Sequence, residues 1–150
     1  MRIHDYTIAL VEDDSSDVLL FRQAFKKAGM HNHLVVLEDG EAAIRYLRGE
    51  GPYTDRQAYP LPLLMLLDLR LPKVSGFEVL EWLRAQPVLK RLRVVVFSSS
   101  RMDEDIDRAY DLGANSYLEK PSGFEALLEM VKAIHEYWIV LSEYPNVHSD

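Results

Sequence analysis

The chain predicts a doubly wound α/β fold: one parallel sheet of five strands in the order 2-1-3-4-5, with helices on both faces. Three observations carry that expectation. Four short runs, residues 8–11, 34–37, 63–67 and 94–97, are apolar at every position, as strands buried on both faces are, and they lack the alternation of a one-sided antiparallel strand. A stripe of apolar residues at helical spacing follows each run, and strands that alternate with helices join in parallel through right-handed crossovers. The length of 150 residues suits one domain, with 48% hydrophobic residues to fill its core.

The elements follow in order. After the first strand, Val18, Phe21, Phe25 and Ala28 mark a helix that Gly29 stops. After the second, Ala43, Ile44 and Leu47 mark a short helix ending near Gly49, and residues 49–62 form a long loop rich in Gly, Pro and Tyr. Phe77, Leu80 and Leu83 follow the third strand. Ile106, Ala109, Tyr110 and Leu112 follow the fourth, with Gly113 as the stop. Ser116, Tyr117 and Leu118 make a weaker fifth strand, and Phe124, Leu127, Leu128, Val131, Ile134 and Trp138 mark a long last helix. Residues 1–150 read as a single unit with a core of about 6–134 and a tail at 135–150, and no second domain is expected.

The 24 acidic and 17 basic residues leave a formal charge of −7, which argues against nonspecific binding to nucleic acid or anionic membranes. The chain has no cysteine, so disulfides, thiolate metal sites and cysteine nucleophiles are excluded. No run approaches the ~20 apolar residues of a membrane helix, and the start lacks the pattern of a secretory signal. The expectation is a soluble, cytoplasmic protein. Histidines 4, 31, 33, 135 and 148 show no ligand spacing and read as surface residues, and the basic stretch at residues 90–93 reads as a solvated loop. There is no P-loop, HExxH or GxGxxG.

In an open parallel sheet, ligands bind beyond the carboxyl ends of the strands. Glu12, Asp13 and Asp14 follow the first strand, Asp68 the third, Ser98, Ser99 and Ser100 the fourth, and Lys120 and Pro121 the fifth. In the expected order the first and third strands are neighbours, so Asp13 and Asp68 face each other. Converging carboxylates without Cys or His are hard oxygen ligands that suit Mg²⁺, and a nearby lysine pairs with a phosphoryl oxygen. Together they suit a carboxylate nucleophile that accepts a phosphoryl group. Each piece also has a plainer role. Asp13, Asp14, Ser15 and Ser16 suit the cap and first turn of a helix. Asp68 suits a loop-start turn, and Ser98 and Lys120-Pro121 suit ordinary turns.

The set of residues resembles the receiver domain of two-component response regulators, from about Thr7 to about Ile134. The likeness lies in Leu10-Val11-Glu12-Asp13-Asp14, in Leu67-Asp68-Leu69-Arg70-Leu71-Pro72 with Gly76 beyond, in Val96-Phe97-Ser98-Ser99, and in the run from Gly113 to Pro121. The resemblance implies a flavodoxin-like receiver fold with Asp68 as phosphoacceptor. It implies Mg²⁺ held by Asp13, by Glu12 through water, by Asp68 and by the backbone carbonyl of Arg70. Ser98 becomes the switch hydroxyl, Tyr117 the switch aromatic and Lys120 the phosphate-pairing lysine, with a cis peptide before Pro121. Ser98 and Glu12 stand where Thr and Asp are commoner, and neither change removes a required group. A finer likeness, in the 49–62 loop, residues 110–115 and the aromatic tail, is to single-domain regulators paired with bacterial phytochrome kinases.

The expectation is therefore a stand-alone regulator, catalysing only its own phosphorylation and dephosphorylation, with a sensor histidine kinase as partner. One rival is a phosphatase with an aspartate nucleophile, against which Arg70 stands where a second acid is wanted. The other is an adaptor that works without phosphorylation. Arg70, Ser99 and Ser100 are expected to rim the pocket and to set how long the phosphate survives. The tail is apolar beyond a helix's needs. Trp138 and Leu141 continue the core stripe from Ile134, leaving Tyr137, Ile139, Val140 and Tyr144 without a surface. A homodimer through Tyr137, Trp138, Val140, Leu141 and Tyr144 is expected, against a tail folded over its own domain near Tyr53 and Tyr59.

Overall fold

The computed structural model describes residues 6–148, so His4 and the ends of the expected unit lie outside the described residues. Five strands, β1 (Thr7–Val11), β2 (His33–Leu37), β3 (Leu64–Leu67), β4 (Arg93–Ser98) and β5 (Ser116–Glu119), form one parallel sheet in the order β2-β1-β3-β4-β5. Helices α1 (Ser15–Lys27), α2 (Gly40–Arg48), α3 (Gly76–Arg84), α4 (Asp103–Asp111) and α5 (Phe124–Ile134) alternate with them. The register sets Val11 opposite Leu37 and Leu67, Leu67 opposite Val96, and Ser98 opposite Glu119. The carboxyl ends of the strands thus share one edge.

Side chains alternate across a strand, so each inner strand serves two apolar layers. Ala9, Val11, Met65, Leu67, Val94 and Val96 pack with Tyr46 and Leu47 of α2, Phe77, Leu80 and Leu83 of α3 and Ala109 of α4. Ile8, Leu10, Leu64, Leu66, Val95 and Phe97 pack with Phe21 and Phe25 of α1 and Leu127, Leu128, Val131 and Ile134 of α5. This explains why β1, β3 and most of β4 read as unbroken apolar runs. The expectation of burial on both faces fails for β2, which is largely half-exposed because it forms an edge of the sheet, as does β5, the weaker run, at the other edge.

Local signals fix the helix ends. Asp14 caps α1 by accepting from the backbone N–H of Ser16 and Asp17, Asp39 caps α2, and Ser75 and Glu78 form a capping box on α3. Gly49 ends α2 at φ 72°, in the left-handed region. α4 differs: no side chain caps its amino end, and Ala109 is its only buried residue. Tyr110, expected in its core stripe, is exposed.

The last helix also departs from expectation. α5 ends at Ile134 and continues as a π-helix over His135–Leu141. The wider i+5 turn carries the buried stripe from Ile134 to Ile139, which is 0% exposed, while Leu141 is 65% exposed. Ile139, not Leu141, therefore extends the core. The chain then folds back along the amino edge of the sheet, where Tyr144 meets the ring of Tyr6 edge-on at 4.9 Å and Val147 packs beside Leu61. Tyr144 is thus engaged within its own chain. Tyr53 and Tyr59 pack instead around Tyr46, at 5.2 and 6.3 Å. No helix among the described residues is long and apolar enough to cross a membrane. His31, His33 and His148 are exposed and His135 is half-buried.

Candidate functional site

The ladder delivers the acidic residues to one point. The Asp68 N–H donates to the Val11 carbonyl at 3.1 Å, and the Glu12 N–H donates to the Leu37 carbonyl at 2.9 Å. Both side chains leave the strand ends nearly buried, with Glu12 2% and Asp68 7% exposed. Glu12, Asp13 and Asp68 each offer a carboxylate oxygen within 4.8 Å of the others. From β5, the Lys120 N–H donates to the Ser98 carbonyl at 2.8 Å, which directs its side chain inward. The Lys120 Nζ meets the carboxylates of Glu12, of Asp17 at 2.9 Å and of Asp68 at 3.1 Å. No cis peptide occurs among the described residues, so the expected cis bond before Pro121 is corrected to trans. The ladder bond to Ser98 and the three carboxylates account for the placement of Lys120.

Three carboxylates surround the Lys120 ammonium and Asp13 adds a fourth to the acidic cluster, so negative charge outweighs positive in the pocket. This all-oxygen, partly exposed donor set fits a hard divalent cation, since Asp13 opens the cluster to water. Burial pushes Glu12 up to about 7, against the lowering hydrogen bond from Lys120. Burial works to lower Lys120, but the hydrogen bonds to Glu12 and Asp17 and the charge of Asp68 prevail and raise it.

The Glu12 shift has a sign that can be tested. Its folded value of about 7 lies above the ordinary 4.5, so the folded chain binds this proton more tightly than the unfolded one. The stabilisation is complete below pH 4.5 and is lost as pH rises through 7. Urea unfolding in EDTA should show the parent losing stability relative to Glu12→Gln across that window. A constant difference between the two chains would refute the role of burial.

A second network lies beside the first. Ser98 is fully buried, and its Oγ accepts from the Ser100 N–H at 3.2 Å. The Ser100 hydroxyl donates to Asp105 Oδ2 at 2.7 Å, and Arg70 Nη2 donates to the same oxygen at 2.7 Å. The Tyr117 hydroxyl donates to the Ser100 carbonyl at 2.9 Å. The Ser100 hydroxyl and the Arg70 guanidinium hold the Asp105 carboxyl below its ordinary value. Of the expected rim, Arg70 and Ser100 meet through Asp105, whereas Ser99 is exposed. Arg70 Nη2 is tied to α4, and the Arg70 N–H lies 3.5 Å from Asp68 Oδ1.

Sequence reasoning missed two residues, Asp17 and Asp105. Each is an acid in the first turn of a helix, a place where acids are common for helix stability alone. Only the tertiary fold reveals their partners.

Comparison with known proteins agrees with this geometry. Residues 8–132 match the family model described as the response regulator receiver domain. The chain is 41% identical over 141 residues to the probable methanogenesis regulatory protein FilR2 of Methanothrix harundinacea, covering 94% of this chain and 88% of that one. It is 39% identical over 132 residues to the response regulator Rcp1 of Synechocystis sp., covering 88% of each. The Mn²⁺-bound structure of Rcp1 superposes with a TM-score of 0.84 at 37% identity, over 94% of this chain and 99% of that one. The phosphorylated cyanobacterial phytochrome response regulator RcpA superposes with a TM-score of 0.87 at 39% identity, over 95% of this chain and 99% of that one. With the acidic cluster, the lysine and the hydroxyl all at the carboxyl edge of a 2-1-3-4-5 sheet, the chain belongs to the response regulator receiver domain family of two-component signalling.

Proposed function

We propose that the chain is a cytoplasmic response regulator that accepts a phosphoryl group from a sensor histidine kinase onto Asp68. The observation that carries this reading is the nearly buried Asp68 carboxylate, clustered with Glu12 and Asp13 and 3.1 Å from the Lys120 ammonium. An Asp68 oxygen attacks phosphorus, a P–O bond forms, and the P–N bond to the partner's histidine breaks. Hydrolysis later returns the carboxylate and releases inorganic phosphate. Mg²⁺, held by Glu12, Asp13, Asp68 and the Arg70 carbonyl, supplies charge neutralisation on the transferring group when bound. Lys120 pairs with one phosphoryl oxygen and Ser98 with another. The kinship with RcpA supports a phytochrome kinase as the partner. Acetyl phosphate stands in for the kinase as the test: one phosphate by intact mass, dependent on Mg²⁺, is the expected result.

The Ser98 hydroxyl that would donate to the phosphoryl group already accepts from the Ser100 N–H at 3.2 Å, so a shift of Ser98 is passed to Ser100. Ser100 also carries the Asp105 and Tyr117 bonds, so the event reaches α4 and β5. Arg70→Ala and Ser100→Ala each open the rim to water and should shorten the half-life of the phosphorylated chain. The expected change is on the order of fivefold, about the worth of one hydrogen bond. Asp105→Asn should act in the same direction. Half-lives equal to the parent's in all three variants would end this reading.

The homodimer is proposed on a smaller patch than the sequence indicates. Tyr137, Val140 and Leu141 are exposed, beside a groove lined by Leu118, Met130 and the half-buried Trp138. Tyr144 is spent on Tyr6. Light scattering should give a dimer for the parent and a monomer for a Tyr137→Ser, Leu141→Glu double variant. This variant is preferable to truncating the tail, which would also strip Ile139 from the core. A parent that runs as a monomer at tens of micromolar, or a variant that stays dimeric, contradicts the assignment.

A further inference from the structure

We propose that Asp17 is a positioning residue that keeps the Lys120 ammonium in place when a divalent cation occupies the acidic cluster. The inference rests on the metal-site reading above. An ammonium has three N–H donors and no acceptor, and here it has three carboxylate neighbours: Glu12, Asp17 at 2.9 Å and Asp68 at 3.1 Å. Two of the three, Glu12 and Asp68, also belong to the set whose oxygens converge within 4.8 Å of one another, together with Asp13. Asp17 does not belong to that set. The same ammonium is therefore bound by two carboxylates that a cation would share and by one that it would not.

The consequence follows from charge alone. Lys120 cannot keep the full attraction of Glu12 and Asp68 once a dication draws on the same oxygens, and like charges at short range repel in a partly buried site. Asp17 is the acceptor that remains. Its place is prepared: the Asp17 N–H donates to Asp14 Oδ1 at 3.1 Å, which fixes the first turn of α1. Its side chain faces a groove shared with Lys120, Pro121 and Phe124. With 42% of the Asp17 side chain exposed against 3% for Glu12 and 9% for Asp68, holding the ammonium there leaves less charge buried. Without Asp17, Lys120 competes directly with the cation for Glu12 and Asp68.

Calorimetric titration of Mg²⁺ into the full chain tests this, using Asp17→Asn, Asp17→Glu, Lys120→Met and the Asp17→Asn, Lys120→Met double variant. Asp17→Asn should raise the Mg²⁺ Kd about tenfold, Asp17→Glu should restore most of the loss, and in the Lys120→Met background the effect of Asp17→Asn should shrink below about twofold. Lys120→Gln serves the same comparison if the methionine variant does not fold. An unchanged Kd in Asp17→Asn overturns the proposal. So does an equal loss with and without Lys120, because it would show only a missing negative charge. A parent chain that takes up no Mg²⁺ would instead contradict the metal-site reading itself.

Discussion

Asp68→Asn is expected to abolish the phosphate that the parent chain gains from acetyl phosphate and Mg²⁺. The substitution keeps the size and hydrogen-bonding shape of the side chain, so the fold should survive. The backbone bond from Asp68 to Val11 is untouched, and Lys120 retains Glu12 and Asp17. What is lost is the nucleophile, since an amide oxygen does not form the acyl phosphate. Intact mass should show the parent shifted by one phosphate and the variant unshifted. A phosphate that persists in Asp68→Asn, with Asp13 still present, would sink the assignment of the acceptor. Asp13→Ala makes the complementary case. Asp13 is exposed, so the domain should stay folded while phosphorylation slows through weakened metal binding.

Gly76→Ala should be strongly destabilising, because the added methyl has no room beside the pocket. A Cβ at Gly76 would lie 2.2 Å from the Asp68 carbonyl oxygen and 2.7 Å from Leu69 Cα. These are backbone atoms, which cannot swing away. They are also held from the other side, because the Gly76 N–H donates to the Leu69 carbonyl at 2.9 Å. α3 therefore starts pressed against the loop that carries Asp68. The expected loss is roughly 3 kcal/mol in urea unfolding, with slower phosphorylation of the molecules that remain folded, because the Asp68 backbone must shift. Gly29→Ala is the control. It meets nothing within 4 Å and bears only the strain of a φ of +76°, about 1 kcal/mol. Equal losses in the two variants would show that close approach is not what Gly76 is for.

The parts of this molecule that were legible in its sequence share a physical cause. Strands β1, β3 and β4 are buried on both faces, so their composition announces them, and the residues just past their ends lie at the edge where such sheets bind ligands. Glu12, Asp13, Asp68 and Lys120, which the structure brings together, could be read because each follows a strand. Asp17 could not, since its partner Lys120 lies 103 positions away and an acid in a first helical turn has a sufficient local reason to be there. Asp105 was hidden in the same way. The tail was misread at Leu141 because a stripe counted at 3.6 residues per turn loses phase across a π-helix. The contact of Tyr144 with Tyr6 carries no local signal at all.

The folded-back tail also bears on how the domain comes apart. A sheet with apolar layers on both sides invites unfolding in two stages, one layer loosening while the other holds. Here Tyr144 joins the layer of α1 and α5, and Val147 joins the layer of α2, α3 and α4. A few residues thus clasp both layers at the amino edge of the sheet, opposite the pocket. Loosening either side withdraws a contact from the other, which ties the two layers into a single cooperative melting unit. The clasp lies at the edge opposite Ser98, Ser100 and the amino end of α4, so the proposed rearrangement there would leave it intact.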